Sequence, residues 1–276
     1  MKMNAAKELR LARRGGYAIG AFNTSNLEIT KAICAAAREL KQPILIQTTP
    51  SAIKYAGLKT LFDIVRDEVE NSGIKAAIHL DHGKEWEIAK ACLDIGYKSV
   101  MIDGSCLPYS ENVALTRRVV KYAHWRGAAV EGEIGVLGAK EIDEAGRDRQ
   151  DVLSSPERTT EFIKKTGVDS IAVAIGNEHG APQDEEIDLK LLAKIASIVK
   201  IPLVIHGSSG LSDDQIKAAI KSGVGKFNVD TRIRKAYLAG IYGASREEKD
   251  YRTLFEAAMP AVTQVVKNRI QLFSNR

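Results

Sequence analysis

Residues 78–83 read Ile78-His79-Leu80-Asp81-His82-Gly83, and this stretch decides the fold because it drives an apolar run, Ala76 to Ile78, straight into an acid and two imidazoles. A strand that ends this way presents chemistry at its C-terminal end. Neutral imidazole is the commonest protein ligand for zinc-like metals, and a carboxylate beside a metal is a ready general acid or base. Asp81 and His82 are therefore the first candidates. Taken alone, His-x-x-His is equally compatible with polar residues capping a strand, so the neighbouring segments must decide.

Outward from this stretch the same unit repeats. Tyr17 to Phe22 is an apolar run ending at Asn23, and Asn26 can cap a helix from about Leu27 to Leu40 in which Ile29, Ile33, Ala36 and Leu40 share a face. Ile44 to Ile46 ends at Gln47 and a hydroxyl-rich loop, Thr48-Thr49-Pro50-Ser51, before a helix from Leu58 to Glu70. The third strand is followed by a helix from Glu85 to Ile95. Ser99 to Ile102 then ends at Asp103, with a helix from Ser110 to Trp125. Ala128 to Ile134 carries Glu131 and Glu133, and the polar stretch Gly135 to Ser155 after it has the length of a functional lid. A helix near Pro156 to Lys165 follows. Ser170 to Ile175 leads into Asn177, Glu178, His179 and Gly180. Pro202 to Ile205 runs into His206-Gly207-Ser208-Ser209-Gly210 and a helix from Ser212 to Ser222. Finally, Lys226 to Val229 holds Asn228 and ends at Asp230 and Thr231.

Eight short apolar strands alternating with helices predict a closed parallel (β/α)8 barrel, an α/β TIM barrel formed as a single domain by residues 1–276. Active sites of such barrels gather at the C-terminal ends of the strands, where this chain puts its polar residues. Closure brings His82, His179 and His206 around one pocket, and three imidazoles with an open fourth position make a catalytic zinc site. His79 reads as a residue behind the site or in the core. The small residues from Gly207 to Gly210 let backbone N–H groups approach an anion, with the following helix dipole behind them.

Composition narrows the alternatives. The net charge of +5 invites a nucleic-acid reading, but Lys and Arg are interleaved with Asp and Glu and form no basic block, so nucleic acid is not expected. Apolar runs are only strand-length, and the basic residues Lys2, Lys7, Arg10, Arg13 and Arg14 precede no apolar signal core. A cytoplasmic protein without a membrane span is expected. Cys34, Cys92 and Cys106 are odd in number and widely spaced, which argues against a disulfide framework or a thiolate metal site.

His-Leu-Asp-His-Gly, Val-Met-Ile-Asp-Gly-Ser, Val-Glu-Gly-Glu-Ile-Gly, a Gly-x-x-His-Gly, His-Gly-Ser-Ser-Gly and Asn-Val-Asp-Thr occur here in that order. Together they resemble the class II, metal-dependent ketose-bisphosphate aldolases, most closely those acting on fructose 1,6-bisphosphate, over Ala18 to Arg234. The resemblance implies Zn2+ on His82, His179 and His206, and Asp81 as the acid/base for the C4 hydroxyl of the ketose. It implies that Asp103 and Glu133 approach a second or displaced metal, and that Glu141 in the long loop exchanges the C3 proton. Gly180, Gly207, Ser209, Asp230 and Thr231 would clamp the dihydroxyacetone-phosphate end, with Asn228 holding the reacting ketose. Asn23 and Thr49, at the mouths of the first two strands, join the substrate-binding candidates. A monovalent cation, Na+ or K+, near the phosphate and a homodimer or homotetramer are further implications.

The sequence also departs from that family. Asn177-Glu178 precede His179 where Gly-Thr-Ala or Gly-Thr-Ser is common, Ala181-Pro182-Gln183 replace an expected lysine, and Ile142 follows Glu141 in place of an acid. Asp230-Thr231, followed by Arg232 and Arg234, resembles the branch acting on fructose bisphosphate more than the tagatose branch. The competing readings are a tagatose-bisphosphate or other ketose-phosphate aldolase, a metal-dependent barrel hydrolase, and a non-catalytic sugar-phosphate-binding barrel. A hydrolase lacks its usual His-x-His on the first strand here. A Schiff-base route needs a lysine at a strand mouth, and Lys226 is read as lying at the wrong end of strand eight.

Overall fold

The computed structural model describes residues 3–135, 153–177, 186–244 and 248–274. Eight parallel strands pair in chain order and close on themselves: β1 (Ile19–Asn23), β2 (Ile44–Thr48), β3 (Ala76–Gly83), β4 (Ser99–Ile102), β5 (Ala129–Ile134), β6 (Ser170–Val173), β7 (Leu203–Ile205) and β8 (Val224–Val229). The architecture is the expected (β/α)8 barrel. Around it run α1 (Ala5–Gly15), α2 (Leu27–Leu40), α3 (Pro50–Ala56), α4 (Leu58–Ser72), α5 (Trp86–Ile95), α6 (Tyr109–Trp125), α7 (Pro156–Thr166), α8 (Leu189–Ile198), α9 (Asp213–Lys221), α10 (Thr231–Gly243) and α11 (Tyr251–Phe273).

Strand alternation divides the apolar residues between two cores. Outward-facing Ile44, Ile46, Ile78, Leu80, Val100 and Ile102 pack with helix residues such as Leu61, Val65 and Val119 in one buried cluster. Inward-facing Ile19, Ala21, Leu45, Ala77 and Ala129, near the starts of their strands, meet Met3, Ala5, Leu9 and Ala12. The α1 helix therefore plugs the floor of the barrel, and the site end stays open. Reading the N-terminus only for its basic residues overlooks this helix. One of those residues, Arg13, donates to the backbone carbonyls of Ala196, Val199 and Ile201 and ties the plug to the approach of β7.

Local signals fix most helix boundaries. Asn26 accepts from the Ile29 N–H at 3.0 Å and starts α2, as its sequence predicts. Ser212 and Gln215 form a reciprocal capping box at α9. The segment expected to be a hydroxyl-rich loop instead starts α3: Thr49 caps the Ala52 N–H at 3.1 Å, and Pro50 occupies the first turn, where its missing N–H costs nothing. At the C-terminus, α11 packs on α2 and α10, and Phe273 stacks on Phe227 at 4.9 Å. Burying each such ring contributes up to about 3 kcal/mol. Among the described residues, no helix is long and apolar enough to cross a membrane.

Candidate active site

In a regular strand Asp81 and His82 would point to opposite faces. Here the β3–β4 register shifts between Leu80 and Gly83, and His82 takes a left-handed φ of 50°, so both side chains line one pocket. A non-glycine residue in this region is strained by roughly 1–2 kcal/mol, and such strain clusters at functional sites. Gly83 makes the turn possible. A Cβ there would meet the Met101 carbonyl oxygen at 2.9 Å and Leu80 Cδ2 at 2.6 Å.

The two imidazoles converge edge to face, with ring centroids 4.6 Å apart. His82 Nε2 lies 2.9 Å from His206 Nδ1. Each ring has its other nitrogen on a carboxylate: His82 Nδ1 is 2.9 Å from Asp103 Oδ2, and His206 Nε2 is 2.8 Å from Glu131 Oε1. Asp81 sits beside them, accepting from Asn23 Nδ2 at 2.7 Å and from Asn228 Nδ2 at 2.9 Å. Gln47 in turn donates to Asn23 Oδ1 at 2.8 Å and fixes that amide.

The electrostatics follow from this crowding. Burial would raise the Asp81 carboxyl, but the electrostatic influence of the His82 and His206 rings and of Lys226, with the Asn23 hydrogen bond, outweighs it and holds Asp81 low, so it is ionised at neutral pH. Burial pulls His82 down, yet the Asp103 hydrogen bond and the charges of Asp81 and Glu133 push it up to about 9. Asp103 is held well below the carboxylate range: burial opposes this, while His82 and two hydrogen bonds from Ser105 prevail. Glu133 goes the other way. Burial, reinforced by the Asp103 charge, raises it well above the ordinary value.

The pocket above these groups has a volume of about 450 Å³. Asn23, Thr49, Asp81, His82, Asp103 and Glu133 line one part of it, and Gly207, Ser209, Asn228, Asp230 and Thr231 line the other. His206 lies beneath, fully buried. A second lobe of about 550 Å³ shares Asn23, Thr49, Asp230 and Arg234 with the first and extends to Ser25, Ser51 and Tyr55. Of the residues singled out from sequence, Glu141, Glu178, His179 and Gly180 lie outside the described residues.

Several pocket or supporting residues escape a reading by strand ends alone. Lys84, Ser105, Ser208 and Arg234 also line the pocket. Deeper in the barrel, Lys226 is not at the wrong end of β8 but within it, wholly buried, with Nζ 2.8 Å from Glu131 Oε2. The overlooked signal is spacing by two. His79 and Asp81, Glu131 and Glu133, and Lys226 and Asn228 each face the interior, one layer apart.

The donor set suits a zinc-like cation. With their outer nitrogens committed to carboxylates, His82 Nε2 and His206 Nδ1 face each other 2.9 Å apart, and Asp81 brings an oxygen within 4.8 Å of both rings' nitrogens. His82, Asp103 and Glu133 form a second such group, in which Glu133 Oε2 is buried without a hydrogen-bond partner among the described residues.

Comparison with known proteins places the chain in a family. The family model described as "Fructose-bisphosphate aldolase class-II" matches residues 3–276. A fructose-bisphosphate aldolase of Streptococcus pyogenes serotype M3 is 41% identical, over 99% of this chain and 98% of its own length. That of Geobacillus stearothermophilus is 41% identical over 87% of this chain and 85% of its own. Among solved structures, the YdjI aldolase from Escherichia coli K12 superposes with a TM-score of 0.87 at 28% identity, covering 99% of this chain and 97% of that one. On the match of nearly the whole sequence and the aldolases it aligns with, the chain belongs to the class-II fructose-bisphosphate aldolase family and is an aldolase, a carbon–carbon lyase.

Proposed function

We propose that the protein cleaves fructose 1,6-bisphosphate reversibly to dihydroxyacetone phosphate and glyceraldehyde 3-phosphate with the help of one zinc ion. The observation that carries this reading is the pair of imidazole nitrogens, His82 Nε2 and His206 Nδ1, converging beside a carboxylate held by two amides. His82 and His206 would hold the ion together with His179. When bound, the ion acts as a Lewis acid toward the ketose carbonyl and offsets the negative charge that develops as the C3–C4 bond breaks.

The chain's own residues supply the proton transfers and the grip. Asp81, ionised and oriented by Asn23 and Asn228, takes the proton of the C4 hydroxyl as the C3–C4 electron pair passes toward the C2 carbonyl. The departing half leaves as an aldehyde. Glu141 is assigned the return of a proton to C3. At the dihydroxyacetone-phosphate end, Gly207, Ser209, Asp230 and Thr231, with Gly180, would clamp the phosphate where α10 begins. Gly207 has a φ of 67°, and Arg232 donates to the Ser209 carbonyl at 2.6 Å, which supports a preformed anion cradle. The second lobe, with Thr49 and Ser51, leaves room for the other phosphate and favours a bisphosphate over a monophosphate.

Asp103 and Glu133 would take a second or displaced divalent ion around His82 Nδ1, and Na+ or K+ would sit beside the clamped phosphate. Assembly as a homodimer or homotetramer is supported by Leu238, Tyr242, Tyr251 and Phe255, large apolar side chains exposed on the last two helices. Cys34, Cys92 and Cys106 are free, which supports a reducing, cytoplasmic location. The deciding experiment measures cleavage of fructose and tagatose 1,6-bisphosphates side by side, before and after chelation. Cleavage of the fructose substrate that chelation abolishes and Zn2+ or Co2+ restores is expected. Full activity of a verified metal-free preparation would overturn the metal assignment, and preference for the tagatose substrate would move the protein to that branch.

A further inference from the structure

His206 is wholly buried, and its two ring nitrogens face different neighbours. Nδ1 lies 3.1 Å from Asn228 Nδ2, and that amide is oriented by Asp81 Oδ1, 2.9 Å from the same nitrogen. An amide nitrogen only donates, so Nδ1 of His206 carries a lone pair and Nε2 carries the hydrogen. The acceptor for that hydrogen is Glu131 Oε1, 2.8 Å away.

Glu131 is itself pinned. Lys226 Nζ lies 2.8 Å from its Oε2 and 3.1 Å from its Oε1, and Glu131, Lys226 and His206 are each at most 1% exposed. His79 Nε2 approaches the same ammonium at 3.5 Å, and His79 Nδ1 is 2.7 Å from Ser99 Oγ. A buried ion pair is weak evidence of stability, because well-packed apolar residues often serve as well. The contact with His206 gives this one a different use.

We propose that Glu131 and Lys226 are positioning residues of the metal site: Lys226 fixes the Glu131 carboxylate beneath His206, and Glu131 locks His206 in the Nε2–H tautomer, aiming its Nδ1 lone pair into the pocket. The inference rests on the metal reading above and extends it one layer down the barrel. It also gives the lysine inside the barrel a role other than Schiff-base formation. Its ammonium is engaged by both Glu131 carboxylate oxygens.

Two double variants of the full chain test this, each removing both buried charges so that neither leaves one unpaired. Glu131→Gln/Lys226→Met keeps an acceptor oxygen for His206; Glu131→Leu/Lys226→Met does not. Zinc affinity, measured by competition with a chromophoric chelator, should stay within about threefold of the wild type in the first and fall roughly 10–100-fold in the second. Long-range proton–nitrogen NMR of the metal-free proteins should find His206 as the Nε2–H tautomer in the wild type and the first variant, and as a mixture in the second. A merely structural pair would leave the two variants alike. Equal zinc affinities and equal tautomers in both would overturn the proposal. None of these measurements uses a sugar, so a failed cleavage assay leaves them readable. If the wild type itself does not bind zinc, the metal reading falls and the tautomer alone decides the positioning role.

Discussion

Asp81, the proposed proton acceptor, has both of its oxygens hydrogen-bonded to amides, and its neighbours keep it ionised. That preparation suits a proton acceptor. Asp81→Ala should lose about two to four decades of turnover, the usual worth of a positioned acid/base, while the preparation retains its zinc. Turnover assayed together with metal analysis checks this, and loss of zinc along with activity would reassign Asp81 as a ligand. The cysteines give a second prediction at this scale. Burial pushes the Cys34 and Cys92 thiols up to about 12, whereas Cys106 is exposed at the rim of the pocket. One thiol per chain should react with a disulfide reagent near pH 8 in the native protein, and all three after unfolding. Prompt reaction of more than one native thiol would contradict the burial. Asn23, Asp81, His82, Asp103, Glu133, Asn228 and Asp230 were legible in the sequence because a polar residue at the end of an apolar run has few reasons to be there, whereas Gly207, Ser209 and Thr231 followed from the phosphate-loop composition and the family resemblance. Glu131 and Lys226 were not, since their pairing joins β5 to β8 across a barrel interior that exists only once the sheet has closed.

Elements were legible where periodicity and caps agreed. The span Leu27–Leu40 follows from an apolar face beginning just after Asn26, and the structure returns those bounds. The cap also makes a test. Asn26 accepts from the Ile29 N–H and donates to Tyr237 Oη at 3.1 Å, so Asn26→Ala removes a helix cap and a tie to α10. A loss of about 1 kcal/mol in unfolding free energy is expected, with an unchanged denaturant slope and a fold otherwise intact. An unaltered urea midpoint would mean the cap contributes nothing. By contrast, α1 and α3 were missed for separate reasons. In α1 the basic residues dominate the composition, while Ala5, Leu9 and Ala12 lie on its buried face. The Thr49-Pro50 pair opening α3 satisfies turn and helix-start rules equally well, so only tertiary context chooses. The bend in β3 was also out of reach, because a bulge is a disagreement in register with β4 and cannot be seen in one strand.

Across the whole molecule the barrel interior is layered: an apolar floor closed by α1, a buried polar layer of His79, Glu131 and Lys226, and the site above it. Such stacking ties the stability of the protein to the protonation of its site. In the metal-free protein His82 is raised from 6.5 to about 9, chiefly by the Asp103 hydrogen bond acting against burial. A group with a raised folded pKa contributes stability that is fully present below its unfolded pKa and is lost as pH rises through the folded one. Glu133, also raised, acts with the same sign from its lower starting point of 4.5. The metal-free protein should therefore lose stability between about pH 6.5 and pH 9, before the raised Cys34 and Cys92 thiols contribute. Zinc on the His82 nitrogen would take the place of that proton, so the loaded protein should not share the decline. The expected result is a gap in melting temperature between zinc-loaded and metal-free protein that widens from pH 6.5 to pH 9, read by thermal denaturation in matched buffers. Parallel curves would mean that the His82 proton and the metal do not compete, and the convergence of His82 and His206 would then need another explanation.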